Sequence, residues 1–193
     1  VLDRWVLSRL ASVEAEVDAT LTRFDATAAA RVLMDFVSED VADWYVRLSR
    51  GRFYEVDNAD SRAAFATLHE VLTVTTRLLA PFAPFISDWM HVELVGSSVH
   101  MAPYRRERQS SDAALEAAMT AARTLSTLGR AARESAGIKV RQPLGALTCV
   151  VPGLDASWHS MIAPLVAAEL NIKQVTFADS AADWVKLEGK ANF

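Results

Sequence analysis

The sequence predicts a mainly α-helical protein, an antiparallel helix bundle followed by a small α/β subdomain, and three observations support this fold class. Apolar residues recur at helical spacing over most of the first 143 residues. After residue 143 the pattern changes to strand, helix and strand. Apolar residues make up 51% of the 193-residue chain, which has only 7 glycines and 6 prolines. We therefore predict a helical bundle over 1–143 and a small α/β subdomain over 144–193.

The first two helices follow from apolar spacing. The first spans about five turns and carries an apolar series made of Leu2, Val6, Leu10, Val13, Val17 and Leu21. Asp25 or Thr27 is a suitable N-cap for a second helix that runs to about residue 54. On a helical wheel, one apolar stripe falls within about 60° of Trp44. Its other members are Leu33, Val37, Val41 and Leu48.

Caps and prolines delimit the next helices. A turn at 56–60 precedes a third helix, which we expect Asp60 or Ser61 to cap. Its predicted apolar line is Phe65, Leu68, Leu72, Thr75 and Leu79. Pro81 and Pro84 must end or kink this helix, because proline lacks the N–H group and clashes with the preceding turn. A short helix with Ile86, Trp89, Met90 and Leu94 follows.

A polar connection through Arg108 leads to the last helix of the bundle, which Ser111 or Asp112 caps and Gly137 ends. Beyond it, alternation around Cys149 predicts a strand. A helix, a second strand over 172–177 and a possible third strand over 184–187 follow. A strand, helix, strand unit of this length implies a parallel crossover.

Composition excludes several functional classes. The formal charge of −4 argues against a general polyanion-coating protein. Cys149 is the only cysteine, so neither a disulfide framework nor a zinc cluster is available, which fits a reducing compartment. The four histidines lack a second ligand at a metal spacing, and we expect each to lie at the surface or at a helix end. No apolar run reaches the length of a membrane span. Because the chain begins on a helical pattern without Met, we expect it to be a fragment of a longer protein.

Aromatic and arginine residues interleave only in the stretch from Trp44 to Tyr54. The wheel places Arg47, Arg50 and Tyr54 on one flank of the apolar stripe and Tyr45 with Arg52 on the other. Guanidinium groups and phenol rings at such a rim suit phosphate contacts and base stacking. The alternative is that Trp44 and Phe53 are core and that the arginines pair with Asp40, Asp43 or other carboxylates.

A second basic cluster lies at the predicted junction between bundle and subdomain. Arg130 and Arg133 share one helix face, and Lys139 and Arg141 alternate outward from Ile138 and Val140 in a segment expected to be extended. These four cations could clamp a phosphate backbone. Alternatively, the segment is a hinge that packs the subdomain, with solvated charges.

Five motifs, in consistent order, resemble class I aminoacyl-tRNA synthetases. Leu2-Asp-Arg-Trp-Val-Leu-Ser-Arg-Leu10 resembles the helix that follows the catalytic domain in isoleucyl- and valyl-tRNA synthetases. Asp43-Trp-Tyr-Val-Arg47, Ser49-Arg-Gly-Arg-Phe53 and Leu79-Ala-Pro-Phe-Ala-Pro-Phe85 are similar to the anticodon-binding helical bundle of that group. Gly137-Ile-Lys-Val-Arg-Gln-Pro-Leu144 resembles the isoleucyl family more closely than the valyl or leucyl families.

The resemblance implies a bundle of the anticodon-binding type, from a parent enzyme that charges isoleucine tRNA with ATP and Mg²⁺ in the cytoplasm. The nucleotide-binding signatures of that family are absent from these residues, so we expect no catalytic residue, cofactor or metal in this chain. The expected partners are tRNA and the catalytic domain of the same chain, and neither DNA nor a membrane. The candidate tRNA-binding residues are Trp44, Tyr45, Arg47, Arg50 and Arg52 on the bundle and Arg130, Arg133, Lys139 and Arg141 at the junction.

Two other functions remain open from the sequence. One is the same region of a valyl-tRNA synthetase. The other is a helical protein-interaction module whose arginine rim docks an acidic partner.

Overall fold

In a computed structural model of the chain, residues 1–55, 58–104 and 110–180 are described. They form two compact units, one comprising Val1–Ala113 and the other starting at Ala114. This division differs from the predicted boundary near residue 143, because the helix Ala113–Ser135 groups with the strands. The assignment of 1–143 and 144–193 as domains stays a prediction. Residues 56–57 of the predicted turn at 56–60, residues 105–108 of the polar connection and the possible third strand over 184–187 lie outside the described residues.

The first unit is helical, as predicted. Its elements are α1 (Leu2–Thr22), α2 (Ala26–Asp35), a π-helix (Phe36–Val46), α3 (Arg50–Tyr54), α4 (Ala59–Leu79) and α5 (Pro84–Val95). The Asp25 cap is confirmed, since its side chain accepts a hydrogen bond from the Ala28 amide at 2.9 Å. Helix α1 packs against α2, the π-helix and α4, and its residues Val6, Val13 and Val17 lie in the core.

The predicted second helix is not one continuous α-helix. From Phe36 to Val46 it is π-helical, and α3 is separate from it. A π-helix closes i→i+5 hydrogen bonds, so each turn holds more residues and later side chains rotate relative to an α-helical wheel. Phe36, Val41 and Trp44 are therefore buried, whereas Val37 is 43% exposed. The predicted stripe is correct at Val41 and Trp44 and wrong at Val37.

The line that helix α4 buries includes Thr75, as predicted, but is otherwise displaced by about one residue from the prediction. Its buried positions include Ala64, Val71 and Leu78, whereas Phe65 is exposed. The Phe65 ring instead lies 5.0 Å from the Phe53 ring of α3, edge to face. The predicted caps are also wrong, because the cap residue is Asn58, which accepts from the Ser61 amide at 2.7 Å.

The prolines separate α4 from α5 as predicted, with Pro84 in the first turn of α5. The apolar side chains of α5 do not form a core face, because Phe85 and Trp89 are exposed while Ser87 and His91 are buried. Of the two positions predicted for His91, the surface is wrong, because the residue is buried near the C-terminal end of α5. One of its ring nitrogens lies 2.8 Å from the Ser97 carbonyl oxygen, which supplies a partner inside the fold.

The second unit contains α6 (Ala113–Ser135), β1 (Leu144–Cys149), α7 (His159–Leu170) and β2 (Ile172–Phe177). The strands pair in parallel, with Leu144 opposite Ile172 and Cys149 opposite Phe177, so the predicted crossover is confirmed. Gly137 has a φ of +68° just beyond α6, the left-handed conformation that ends helices. Cys149 is a buried apolar residue, and burial raises the pKa of its thiol.

Candidate nucleic-acid interface

One flank of the π-helix and α3 presents arginine and tyrosine side chains to solvent. We call Arg47, Arg50 and Tyr54 the arginine rim. The Arg50 guanidinium lies 5.9 Å from the centroid of the Tyr54 ring, and this tyrosine is 72% exposed. The Arg47 guanidinium lies 5.8 Å from the centroid of the Trp44 ring, and its Nε donates to the Asp43 carbonyl at 2.7 Å. Arg47 and Arg50 are both exposed, the first beside a buried ring and the second beside an exposed one, so each guanidinium can approach a phosphate.

The two aromatic rings of this flank differ in what they can contact. Trp44 is buried, so its ring is part of the core and Arg47 lies over it. Tyr54 exposes most of its surface, and its ring can accept a stacked base. The sequence placed Trp44 in the apolar stripe and Tyr54 on its flank, which the structure confirms; as a tRNA-binding candidate Trp44 is buried.

Tyr45 and Arg52 do not lie at a rim. Tyr45 is fully buried, and its hydroxyl donates to Asp3 Oδ1 at 2.8 Å and to the Ala64 carbonyl at 3.2 Å. Arg52 donates from Nη1 and Nη2 to the two carboxylate oxygens of Asp3 at 2.8 and 2.7 Å. Its Nε donates to Asp60 Oδ2 at 2.7 Å. The prediction that Tyr45 and Arg52 flank the stripe at the surface is wrong, because the π-helix turns Tyr45 inward and two carboxylates engage Arg52.

We call Asp3, Tyr45, Arg52 and Asp60 the Asp3 network, and the pKa values of Asp3, Tyr45 and Arg52 are shifted within it. The hydrogen bonds from Arg52, more than those from Tyr45, lower the pKa of the Asp3 carboxyl, although burial opposes the change. Burial, together with the hydrogen bond to Asp3, raises the pKa of Tyr45. Asp3 also raises the pKa of Arg52. At neutral pH the network therefore holds an ionised carboxylate, a neutral phenol and a protonated guanidinium.

In the second unit, Arg133 is a structural residue rather than a surface clamp. It is 4% exposed and donates to the carbonyl oxygens of Lys139, Gln142 and Leu170 at 3.1, 3.0 and 2.7 Å. Leu170 is the last residue of α7, so the cation lies at the negative end of that helix. Arg130 forms an ion pair with Glu169, whose carboxylate is almost fully buried.

Lys139 and Arg141 are exposed, but the segment between them is not extended. The Gln142 amide donates to the Lys139 carbonyl at 3.0 Å, which closes a turn, and Val140 is exposed. The Asn171 side chain donates to the Val140 and Arg141 carbonyls, both at 3.1 Å. The turn is thus fixed by Arg133 and Asn171, and it leaves the Lys139 and Arg141 side chains on the surface.

The sequence did not reveal which acidic residues pair with Arg52 and Arg130. Asp3 lies 49 residues before Arg52, and Glu169 lies 39 residues after Arg130. No helical spacing links residues so far apart. The one available signal was an Asp in the first turn of α1, a position that the helix dipole also favours.

Two further properties concern the described residues only. Within the ranges 1–55, 58–104 and 110–180, no group of three or more His, Cys, Asp or Glu side chains is placed to hold a metal ion. The helices in those ranges are too short or too polar to cross a membrane.

Comparison with known proteins places most of the chain in one family model. Residues 3–148 match the model described as the anticodon-binding domain of tRNA ligase. An isoleucine–tRNA ligase from Porphyromonas gingivalis is 40% identical over 187 residues, which cover 93% of this chain and 16% of the relative. Isoleucine–tRNA ligase 2 from Bacillus cereus is 40% identical over 195 residues, 100% of this chain and 19% of the relative. The enzyme from Deinococcus radiodurans is 39% identical, over 99% of this chain and 18% of the relative. The chain therefore spans less than a fifth of these curated relatives.

Proposed function

The chain belongs to the family of anticodon-binding domains of tRNA ligases, and on that premise we propose that it binds the anticodon stem and loop of isoleucine tRNA. The isoleucine assignment is supported by relatives about 40% identical that are named isoleucine–tRNA ligase. The chain would position the tRNA for ATP-dependent aminoacylation by the catalytic part of a longer ligase. ATP and Mg²⁺ would bind in that part, and the reaction would take place in the cytoplasm.

The observation that carries the proposal is the arginine rim beside a buried helix face. Arg50 lies over the exposed ring of Tyr54, so a cation and a stacking surface are adjacent. Bases splayed out of an RNA loop stack on aromatic rings, while guanidinium groups contact the phosphates. We therefore assign base stacking to Tyr54 and phosphate contacts to Arg47 and Arg50.

The turn that carries Lys139 and Arg141 is the proposed second contact. Both residues are exposed and lie within the matched range of the family model. We assign Tyr45, Arg52 and Arg133 to the scaffold, because their polar groups are engaged by other parts of the fold. We also assign Trp44 to the scaffold, because its ring is buried, and Arg130, because it forms an ion pair with Glu169.

The test is binding of the 193-residue chain to transcribed isoleucine tRNA at several salt concentrations. Arg47→Ala should weaken binding to every tRNA and reduce the log–log salt slope by about 1, because one phosphate contact is lost. Tyr54→Ala should weaken binding by about 1–3 kcal/mol, the usual contribution of one stacked base.

Arg23→Ala is the matched control, because Arg23 is an exposed arginine that follows the C-terminal end of α1, roughly 30 Å along that helix from Asp3. A tRNA with an altered anticodon is the competitor. Equal affinity for both tRNAs would refute the anticodon role. Preference for valine tRNA would indicate instead that the chain is the corresponding region of a valyl-tRNA synthetase. Binding to acidic proteins but not to tRNA would favour a protein-interaction module.

A further inference from the structure

We propose that Asp3 is a positioning residue for RNA binding. Through Arg52 it holds α3 in the orientation that presents Arg50 and Tyr54 to the RNA. The inference rests on the proposed function of the arginine rim and adds a residue that does not touch the RNA itself.

The first step of the argument is the geometry of Arg52. Two of its nitrogens donate to the two oxygens of Asp3, and its Nε and Nη2 donate to the two oxygens of Asp60, at 2.7 and 2.9 Å. Each bidentate pair consists of two parallel hydrogen bonds, which fix the orientation of the guanidinium plane. A guanidinium that forms such a pair at two of its edges therefore cannot turn. Arg52 is therefore fixed between α1, which carries Asp3, and α4, which carries Asp60.

The second step is the periodicity of α3. This helix has five residues, and the Ser49 side chain makes no capping hydrogen bond, so the helix has little intrinsic stability. Residues two apart on a helix lie on roughly opposite sides, while residues four apart share a side. When Arg52 points toward α1 and α4, Arg50 and Tyr54 must both point away from them. The contact between the Arg50 guanidinium and the Tyr54 ring agrees with this arrangement.

The third step separates Asp3 from Asp60. The Asp3 side chain is 25% exposed and also accepts the buried Tyr45 hydroxyl, whereas the Asp60 side chain is 68% exposed. Exposed ion pairs are screened and contribute little. Asp3 is therefore the stronger of the two anchors, and it ties α3 to the first turn of α1.

The test uses Asp3→Asn in the 193-residue chain, with Glu16→Gln as the matched control. Glu16 is an exposed residue of α1, so both variants remove one carboxylate from the same helix. An asparagine amide presents N–H groups to the guanidinium and cannot form the bidentate pair. Under conditions where circular dichroism shows both variants folded, Asp3→Asn should weaken tRNA binding roughly 3- to 10-fold and Glu16→Gln should not. Asp3→Glu should restore part of the loss.

A double-mutant cycle distinguishes positioning from general destabilisation. In a chain that already carries Arg50→Ala and Tyr54→Ala, Asp3→Asn should cause no further loss of affinity. Asp60→Asn should have a smaller effect than Asp3→Asn in the wild-type background. If Asp3→Asn does not fold, Arg52→Lys, which keeps the charge and loses the bidentate geometry, takes its place in the same cycle.

The outcomes separate the two proposals. If Arg50→Ala weakens binding while Asp3→Asn behaves like Glu16→Gln, the positioning role is refuted and the proposed function stands. If Asp3→Asn weakens binding equally with and without Arg50 and Tyr54, the role is also refuted, because the effect does not pass through the rim. If the wild-type chain binds no tRNA, or if Arg50→Ala and Tyr54→Ala are without effect, the proposed function itself fails and the positioning role fails with it.

Discussion

At the scale of single residues, Arg133 and Tyr45 have side chains typical of recognition surfaces but are placed by hydrogen bonds inside the fold. The Arg133 guanidinium donates to the backbone carbonyl oxygens of Lys139, Gln142 and Leu170. The Tyr45 hydroxyl meets a carboxylate and a backbone carbonyl. A residue type alone therefore does not separate a scaffold role from a binding role, and burial decides between them.

We predict that Arg133→Met lowers the free energy of unfolding by about 2–4 kcal/mol, because carbonyl oxygens lose charge-assisted partners. Urea unfolding followed by far-UV circular dichroism measures the change. Arg141→Met is the control, since Arg141 is exposed, and it should change stability by less than about 0.5 kcal/mol. Equal effects of the two variants would contradict the buried position of Arg133.

Tyr45→Phe should lower the free energy of unfolding by about 1–2 kcal/mol, because Asp3 loses one donor while the ring still fills its site. The affinity for tRNA should fall less than in Tyr54→Ala. Tyr54→Phe provides the matched control, and we expect its stability to equal that of the wild type because the Tyr54 hydroxyl is not in the core. If Tyr45→Phe kept wild-type stability but bound tRNA poorly, the scaffold role of Tyr45 would be contradicted and a direct contact with tRNA supported.

At the scale of elements, the π-helix determines which side chains of the second helical stretch are buried. Its wider turns place Phe36, Trp44 and Tyr45 in the core and leave Val37 half exposed. Runs of π-helix are rare and often occur at functional sites. Here the run immediately precedes the arginine rim, so the same register sets both the core and the direction of Arg47.

Substitutions at the adjacent positions 36 and 37 report this register directly. Phe36→Ala should lower the free energy of unfolding by about 3–5 kcal/mol, as for other buried phenylalanines. Val37→Ala should lower it by less than about 1 kcal/mol, because Val37 already contacts solvent. If the stretch were a regular α-helix with Val37 in its buried stripe, Val37→Ala would lower the free energy of unfolding more than stated here, and Phe36→Ala would lower it less. Urea unfolding of the two variants distinguishes the registers.

At the scale of the whole molecule, the Asp3 network makes stability depend on pH. The pKa of the Asp3 carboxyl is lowered below its ordinary value of 3.8, chiefly by the hydrogen bond with Arg52. The unfolded state consequently binds the proton more tightly than the folded state. The network's contribution is complete above the unfolded pKa and is lost as the pH falls through the lowered pKa of the folded state.

We therefore expect the stability difference between the wild type and Asp3→Asn to be large at pH 7 and to shrink below about pH 4. Urea unfolding at a series of pH values measures the difference. The corresponding difference for Glu16→Gln should stay small throughout. A gap between wild type and Asp3→Asn that does not change with pH would show that the carboxylate charge has no part in holding Arg52.

The features that sequence reasoning predicted depend on local patterns. The Asp25 cap and the helix break before Pro84 each follow from a few neighbouring residues, and the parallel crossover follows from the order of consecutive strand and helix patterns. The missed features depend on distant partners or on backbone register. The pairing of Asp3 with Arg52 joins residues 49 positions apart, and a wheel of fixed period cannot include a π-helix. The Asp3–Arg52 pair and the π-helix determine which arginines are exposed. The exposed residues Arg47, Arg50 and Tyr54 were therefore predicted from the sequence, whereas the buried contacts that hold them in place were not.

The buried state of Cys149 makes fluorescent labelling of this chain straightforward. Its thiol is shielded and its pKa is raised, so little reactive thiolate is available to a maleimide dye at neutral pH. A dye would therefore attach selectively to a second thiol introduced by Glu55→Cys, one residue beyond α3. Quenching or polarisation of that dye on RNA addition would report contact at the rim without removing the native cysteine.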